Sequence, residues 1–125
     1  MNVNTWQIIV VEDEFDSIQM VSEILRFYGA QVLVAHNGKE CLALLNKSHA
    51  SLVLTDLAMP EMDGWETLSA IRANPLTEKI PVVAISAYHS VDVAEQAMAA
   101  GFDAFFPKPV SPKTFVHSLA EVIGV

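Results

Sequence analysis

Leu52-Val53-Leu54-Thr55-Asp56, followed by Leu57-Ala58-Met59-Pro60-Glu61-Met62-Asp63-Gly64, decides the reading of this chain. A short apolar run stops at a carboxylate, and a tract with one proline and one glycine follows. A run of this length between turn signals predicts a buried strand. Asp56 then stands at the strand's C-terminal end. In open α/β sheets, ligands bind along that edge. Alone, Asp56 would be read as a turn or helix-cap aspartate, so its meaning depends on the other strand ends.

Outward from this stretch, two hydrophobic periods alternate. Gln7-Ile8-Ile9-Val10-Val11 is β-branched and predicts a strand. Ile18, Val21, Leu25 and Tyr28 recur at helical spacing up to Gly29, a helix stop. Gln31 to Ala35 predicts a second strand. Asn37-Gly38 breaks it, and Cys41, Leu42, Leu44 and Leu45 mark a short helix that fades at Lys47-Ser48. A third helix carries Trp65, Leu68 and Ile71, and ends before Asn74-Pro75 because a residue before proline avoids helical geometry. Pro81 to Ser86 predicts the fourth strand. A helix with a small-residue face follows, from Val91 to Gly101. Asp103 to Phe106 predicts the fifth strand, and the last helix holds Phe115, Leu119, Val122 and Ile123.

Five βα units predict an α/β fold with a parallel sheet covered on both faces. The continuously apolar first, third and fourth strands belong in the middle. Pro107 cannot donate a ladder bond and suits the end of an edge strand. A flavodoxin-like doubly wound (βα)5 fold with strand order 2-1-3-4-5 meets these conditions, with its switch point between strands one and three. Residues 1-125 are expected to form a single domain.

Composition narrows the function. Net charge is −8, from seven Lys and Arg against 15 Asp and Glu. That opposes direct nucleic-acid binding, which needs a basic surface. Hydrophobic residues make up 52% of the chain and mean hydropathy is +0.36. No apolar run approaches the roughly 20 residues of a membrane helix. Met1 to Trp6 shows no basic start and no small-residue cleavage site, so no signal peptide is expected. The one cysteine, Cys41, lies among leucines and reads as a small core residue; a reducing, cytoplasmic setting fits. The four histidines show no mutual ligand spacing, which argues against zinc.

In the expected strand order, four strand ends converge: Glu12-Asp13, Asp56, Ser86 and Lys108. Two carboxylates ~5 Å apart at an effective dielectric of ~20 repel by roughly 3 kcal/mol. Such a cluster must protonate, pair with Lys108, or hold a divalent cation. An oxygen-only site open to water suits Mg²⁺ or Mn²⁺. Lys108 would supply positive charge to one phosphoryl oxygen and the Ser86 hydroxyl a hydrogen bond to another. Asp56 is left to attack phosphorus and form an acyl phosphate.

Val10-Val11-Glu12-Asp13-Glu14, Asp56 to Gly64, Ser86-Ala87 and Lys108-Pro109 together resemble the response-regulator receiver domains of two-component signalling, over essentially the whole chain. The Asp-x-x-Met-Pro-x-Met-Asp-Gly run is specific on its own. The resemblance implies that Asp56 takes phosphate from the phosphohistidine of a histidine kinase or histidine phosphotransfer protein. It implies Mg²⁺ held by Asp13, Asp56 and the Ala58 backbone carbonyl, with Glu12 acting mainly through water. Ser86 and Phe105 would be the switch pair, and Lys108-Pro109 matches a position that is usually cis. The output surface would be the fourth helix, fifth strand and fifth helix, presented to a downstream protein. The domain would be a switch rather than an enzyme, although it would catalyse its own phosphorylation and dephosphorylation.

Several positions depart from the commonest family pattern. Glu12 replaces a more frequent Asp, Ser86 a commoner Thr, and Phe105 a common Tyr. Ala58 and Tyr88 occupy positions that tune phosphate loss. Neither offers an acid or amide to orient water, and Tyr88 would shield the phosphoryl group, so slow self-dephosphorylation is expected. The chain ends after the fifth helix, so the expected output is a protein partner or onward phosphotransfer; a fragment of a longer protein would also fit. The apolar composition leaves room for a self-associating face.

Three competing readings follow from the same residues. A pseudo-receiver that never takes phosphate would show a degraded acid or lysine position, and none is degraded. A Mg²⁺-dependent aspartyl-phosphate hydrolase would want a second acid two residues after the nucleophile, where Ala58 stands. A flavin carrier of this fold would want a phosphate loop after strand one, where Glu12-Asp13-Glu14 would repel it. For the single residues, bland roles are expected beside the functional one: Asp63-Gly64 as cap and turn, Trp6 and Trp65 as partly buried packing residues, Phe106 as core.

Overall fold

Each β-branched run forms a strand and each 3.6-residue pattern a helix in the computed structural model, which describes residues 2–87 and 90–124. In chain order the elements are β1 (Gln7–Val11), α1 (Phe15–Phe27), β2 (Gln31–Ala35), α2 (Gly38–Leu45), β3 (Leu52–Asp56), α3 (Gly64–Ala73), β4 (Val82–Ser86), α4 (Val91–Ala100), β5 (Ala104–Pro107) and α5 (Pro112–Ile123). The five strands are parallel, in the order β2-β1-β3-β4-β5. This is the flavodoxin-like doubly wound arrangement.

Successive side chains of the central strands point to opposite faces, and each face has its own core. Ile8, Val10, Leu52, Leu54, Val83 and Ile85 pack with Val21 and Leu25 of α1 and with Phe115, Val116 and Leu119 of α5. Ile9, Val11, Val53, Val82 and Ala84 pack with Cys41 and Leu45 of α2, Leu68 and Ile71 of α3, and Ala97 of α4. β3 and β4 are buried throughout, whereas β2 and β5 are only partly covered, as edge strands are. Pro107 ends the edge strand β5, where its missing donor is harmless.

Two features differ from the sequence reading. A 3-10 turn at Val3–Thr5 precedes β1. It draws Trp6 fully into the α1/α5 core rather than leaving it half covered, at 2% exposure. The turn is held by the Thr5 and Trp6 amides, which donate to the carbonyls of Asn2 and Val3.

Helix ends follow the residues that cap them. Asn37 and Ser90 accept from the third amide of α2 and α4. Asp63 and Glu66 form a reciprocal capping box on α3. Gly64 is required for space: a β-carbon there would lie 2.3 Å from the Asp56 carbonyl oxygen. The start of α3 is thereby pressed against the end of β3.

Candidate functional site

Strand register brings the four expected strand ends to one edge. Val11 pairs with Thr55, so the next residues, Glu12 and Asp56, lie side by side. Asp56 pairs with Ile85, one before Ser86, and Ser86 pairs with Pro107, one before Lys108. The Lys108 amide continues the ladder by donating to the Ser86 carbonyl at 2.9 Å. Lys108-Pro109 is a cis peptide.

The acids meet in a cleft of about 420 Å³ lined by Glu12, Asp13, Glu14, Asp56, Ala58, Ala87 and Lys108. One carboxylate oxygen from each of Glu12, Asp13 and Asp56 lies within 4.8 Å of the others. Asp13 is exposed, whereas Glu12 and Asp56 are buried. Asp56 Oδ2 accepts from Lys108 Nζ at 2.9 Å, and its Oδ1 accepts from the Ala58 amide at 3.3 Å. Both carboxylate oxygens are thus oriented by donors from different elements.

Glu12 turns back on its own loop. Its Oε2 accepts from the amides of Asp13 at 3.1 Å and Glu14 at 3.3 Å, and its Oε1 accepts from Lys108 Nζ. Burial pushes its pKa up to about 7, and neighbouring Asp56 pushes the same way against the pull of Lys108. Burial is the larger cause, and the local charge balance adds to it. Three carboxylates share one ammonium, which leaves the cluster near −2 if all are ionised. For Lys108, burial works against the charged form. Hydrogen bonds to Glu12 and Asp56 outweigh it and raise the pKa.

Ser86 and Phe105 are placed beside the cleft rather than in it. Ser86 is buried at the end of β4, and its side chain lines an adjoining cavity of about 520 Å³ with Ala58, Met59, Trp65 and Val93. Phe105 pairs with Ala84 and packs, partly buried, on the α2/α3/α4 core. Ala58 lines both cavities and is exposed. Tyr88 lies outside the described residues. One residue that sequence reasoning did not single out also reaches Lys108. Ser17 Oγ lies 3.3 Å from Nζ, and Ser17 in turn donates to Glu14 Oε1 at 3.2 Å. The Glu14/Ser17 spacing of three, one helical turn, was the available signal.

Known proteins share this fold. The family model for the response regulator receiver domain matches residues 8–120. An uncharacterized 14.6 kDa protein in the sodA1 3′ region of Leptolyngbya boryana is 39% identical over 110 residues, covering 88% of this chain and 84% of the relative. The transcriptional regulatory protein ZraR of Klebsiella oxytoca is 36% identical over 118 residues; that match covers 94% of this chain but spans only 26% of the relative. Among solved structures, the Vibrio cholerae chemotaxis response regulator CheY4 superposes with a TM-score of 0.86 at 28% identity, covering 94% of this chain and 98% of that one. Strand order, strand-end residues and these matches agree: the chain belongs to the response regulator receiver domain family of two-component systems.

Proposed function

We propose that Asp56 is a phosphoacceptor, loaded from the phosphohistidine of a histidine kinase or histidine phosphotransfer protein. One juxtaposition carries this reading. Asp56 Oδ2 sits 2.9 Å from the Lys108 ammonium, in a water-open cleft where Glu12 and Asp13 add carboxylates within 4.8 Å.

The donor set fits Mg²⁺, or Mn²⁺. It is all oxygen and carboxylate-rich, with three carboxylates and one ammonium among the described residues. Asp13, Asp56 and the Ala58 carbonyl would hold the ion, with Glu12 acting through water. When bound, it offsets negative charge on the phosphoryl oxygens.

The remaining tasks fall to the chain. An Asp56 oxygen attacks phosphorus, the P–N bond of the donor breaks, and the imidazole leaves with the electron pair. Lys108 passes from the carboxylate to a phosphoryl oxygen. Ser86, one strand away, donates its hydroxyl to another. That hydroxyl movement opens space beside β4, and Phe105 turns inward to fill it. The product is an acyl phosphate whose charge biases a two-state loop and ring. Residues 1-125 act in this reading as one receiver unit and as a single-turnover switch in the cytoplasm. The altered face, α4–β5–α5, binds a downstream protein; Val91 and Met98 are already exposed on it.

Incubation with acetyl phosphate and Mg²⁺, followed by intact-mass measurement, tests this. The wild-type chain is expected to gain one phosphoryl group and Asp56→Asn none. With Ala58 supplying no acid or amide, the adduct is expected to last many minutes. No mass gain in the wild type would reject the phosphoacceptor reading.

A further inference from the structure

We propose that Ser17, aimed by Glu14, is a positioning residue that tethers the Lys108 ammonium during phosphoryl transfer. This role rests on the phosphoacceptor reading of Asp56.

An ammonium has three N–H donors, and among the described residues Lys108 has three acceptors: Glu12 Oε1, Asp56 Oδ2 at 2.9 Å and Ser17 Oγ at 3.3 Å. Two of these are carboxylates of the acidic cleft, and Ser17 is neutral. The carboxylates are the groups a divalent cation would draw on, and Asp56 is the group that would become an acyl phosphate. Both anionic holds on Lys108 therefore weaken as the site loads. The hydroxyl of Ser17 is outside that competition and keeps its lone pairs for Lys108.

Glu14 fixes the direction of the hydroxyl. Ser17 has one proton, and it donates that proton to Glu14 Oε1 at 3.2 Å. Its lone pairs are then left to face Nζ. Ser17 is buried on the first turn of α1, and α1 packs rigidly through Val21 and Leu25 into the core. The tether is thus anchored on a fixed helix rather than on the loop that carries Asp13. A cavity of about 300 Å³ lies beside it, lined by Ser17, Met20, Val21, Ile85 and Val110. That room lets the Lys108 stem swing when the tether is lost, and accepts one extra methyl when Ser17 becomes Thr.

The test compares wild type, Ser17→Ala and Ser17→Thr. Phosphate uptake from acetyl phosphate is followed by intact mass at saturating Mg²⁺. Mg²⁺ affinity is measured separately by calorimetry. ¹⁵N relaxation of the Lys108 ammonium reports its order with Mg²⁺ present. Ser17→Ala is expected to slow uptake about tenfold, the scale of one hydrogen bond to a charged group, to leave the Mg²⁺ affinity unchanged because Ser17 is not a ligand, and to lower the order of the ammonium. Ser17→Thr is expected to restore both rate and order. Wild-type uptake rates in Ser17→Ala, an unchanged ammonium, or equal slowing in Ala and Thr would overturn the tether. If the wild type itself takes no phosphate, the phosphoacceptor reading fails, and the ammonium order still decides whether Ser17 holds Lys108.

Discussion

Glu12 is the residue where the site's electrostatics can be read most directly. Its carboxyl is buried, and its pKa is pushed up to about 7 from an ordinary 4.5. The folded metal-free protein therefore holds a proton that the unfolded chain releases earlier. Between pH 4.5 and about 7 the folded state binds more protons, so its stability falls as pH rises through that window. Thermal midpoints in chelator are expected to decline across it, and Glu12→Gln is expected to flatten the decline. A Gln variant with the wild-type slope would assign the effect to another group. The same proton competes with a divalent ion, so Mg²⁺ is expected to raise the midpoint more at pH 7.5 than at pH 5.5.

At the scale of an element, the start of α3 is pressed against the backbone of Asp56. The capping box of Asp63 and Glu66 fixes the first turn, and Gly64 lets that turn touch the end of β3. Gly64→Ala would put a methyl 2.3 Å from the Asp56 carbonyl oxygen and 2.9 Å from Leu57 Cα. Backbone atoms cannot swing aside as a flexible side chain can. The substitution is expected to cost about 1–3 kcal/mol in urea unfolding and to slow phosphate uptake by displacing Asp56. A variant with wild-type stability and uptake would show that β3 and α3 can separate freely. The Asp63-Gly64 pair was legible as cap and turn, because capping is written in residues three positions apart. The close approach of Gly64 to Asp56 was not, because it depends on how a helix lies against a strand.

Across the whole molecule, the edge opposite the site is closed by one ion pair with many backbone partners. Arg72 of α3 donates to the carbonyls of Glu78, Ile80 and Gly101 and to Asp103, and Asp103 accepts from the Val82 amide at 2.8 Å. These bonds tie α3, the start of β4 and the turn after α4. Removing the Asp103 carboxylate strands the Val82 amide and leaves the Arg72 guanidinium with carbonyl partners alone. Asp103→Ala is expected to cost about 2 kcal/mol in urea unfolding. Asp103→Asn, which keeps an acceptor for Val82, is expected to cost less. Equal losses would place the stability in the charge rather than in the amide bond. Their pairing was not legible in the sequence, since they are 31 positions apart and Asp103 reads there only as the start of the fifth strand, which begins at Ala104.

The sequence by itself determined the alternation of strands and helices, the central and edge strands, the sheet order and the chemical types at the strand ends. These are properties of short windows, and hydrophobic period and turn residues report them without knowledge of distant partners. Only the tertiary structure decided which atoms meet. It set Lys108 against Glu12 and Ser17, 96 and 91 positions away, turned Glu12 onto its own loop, and sealed Trp6 into the core. Register and packing between elements choose such partners. A one-residue shift would send every side chain of a strand to the opposite face, so these contacts exist only once the sheet has closed.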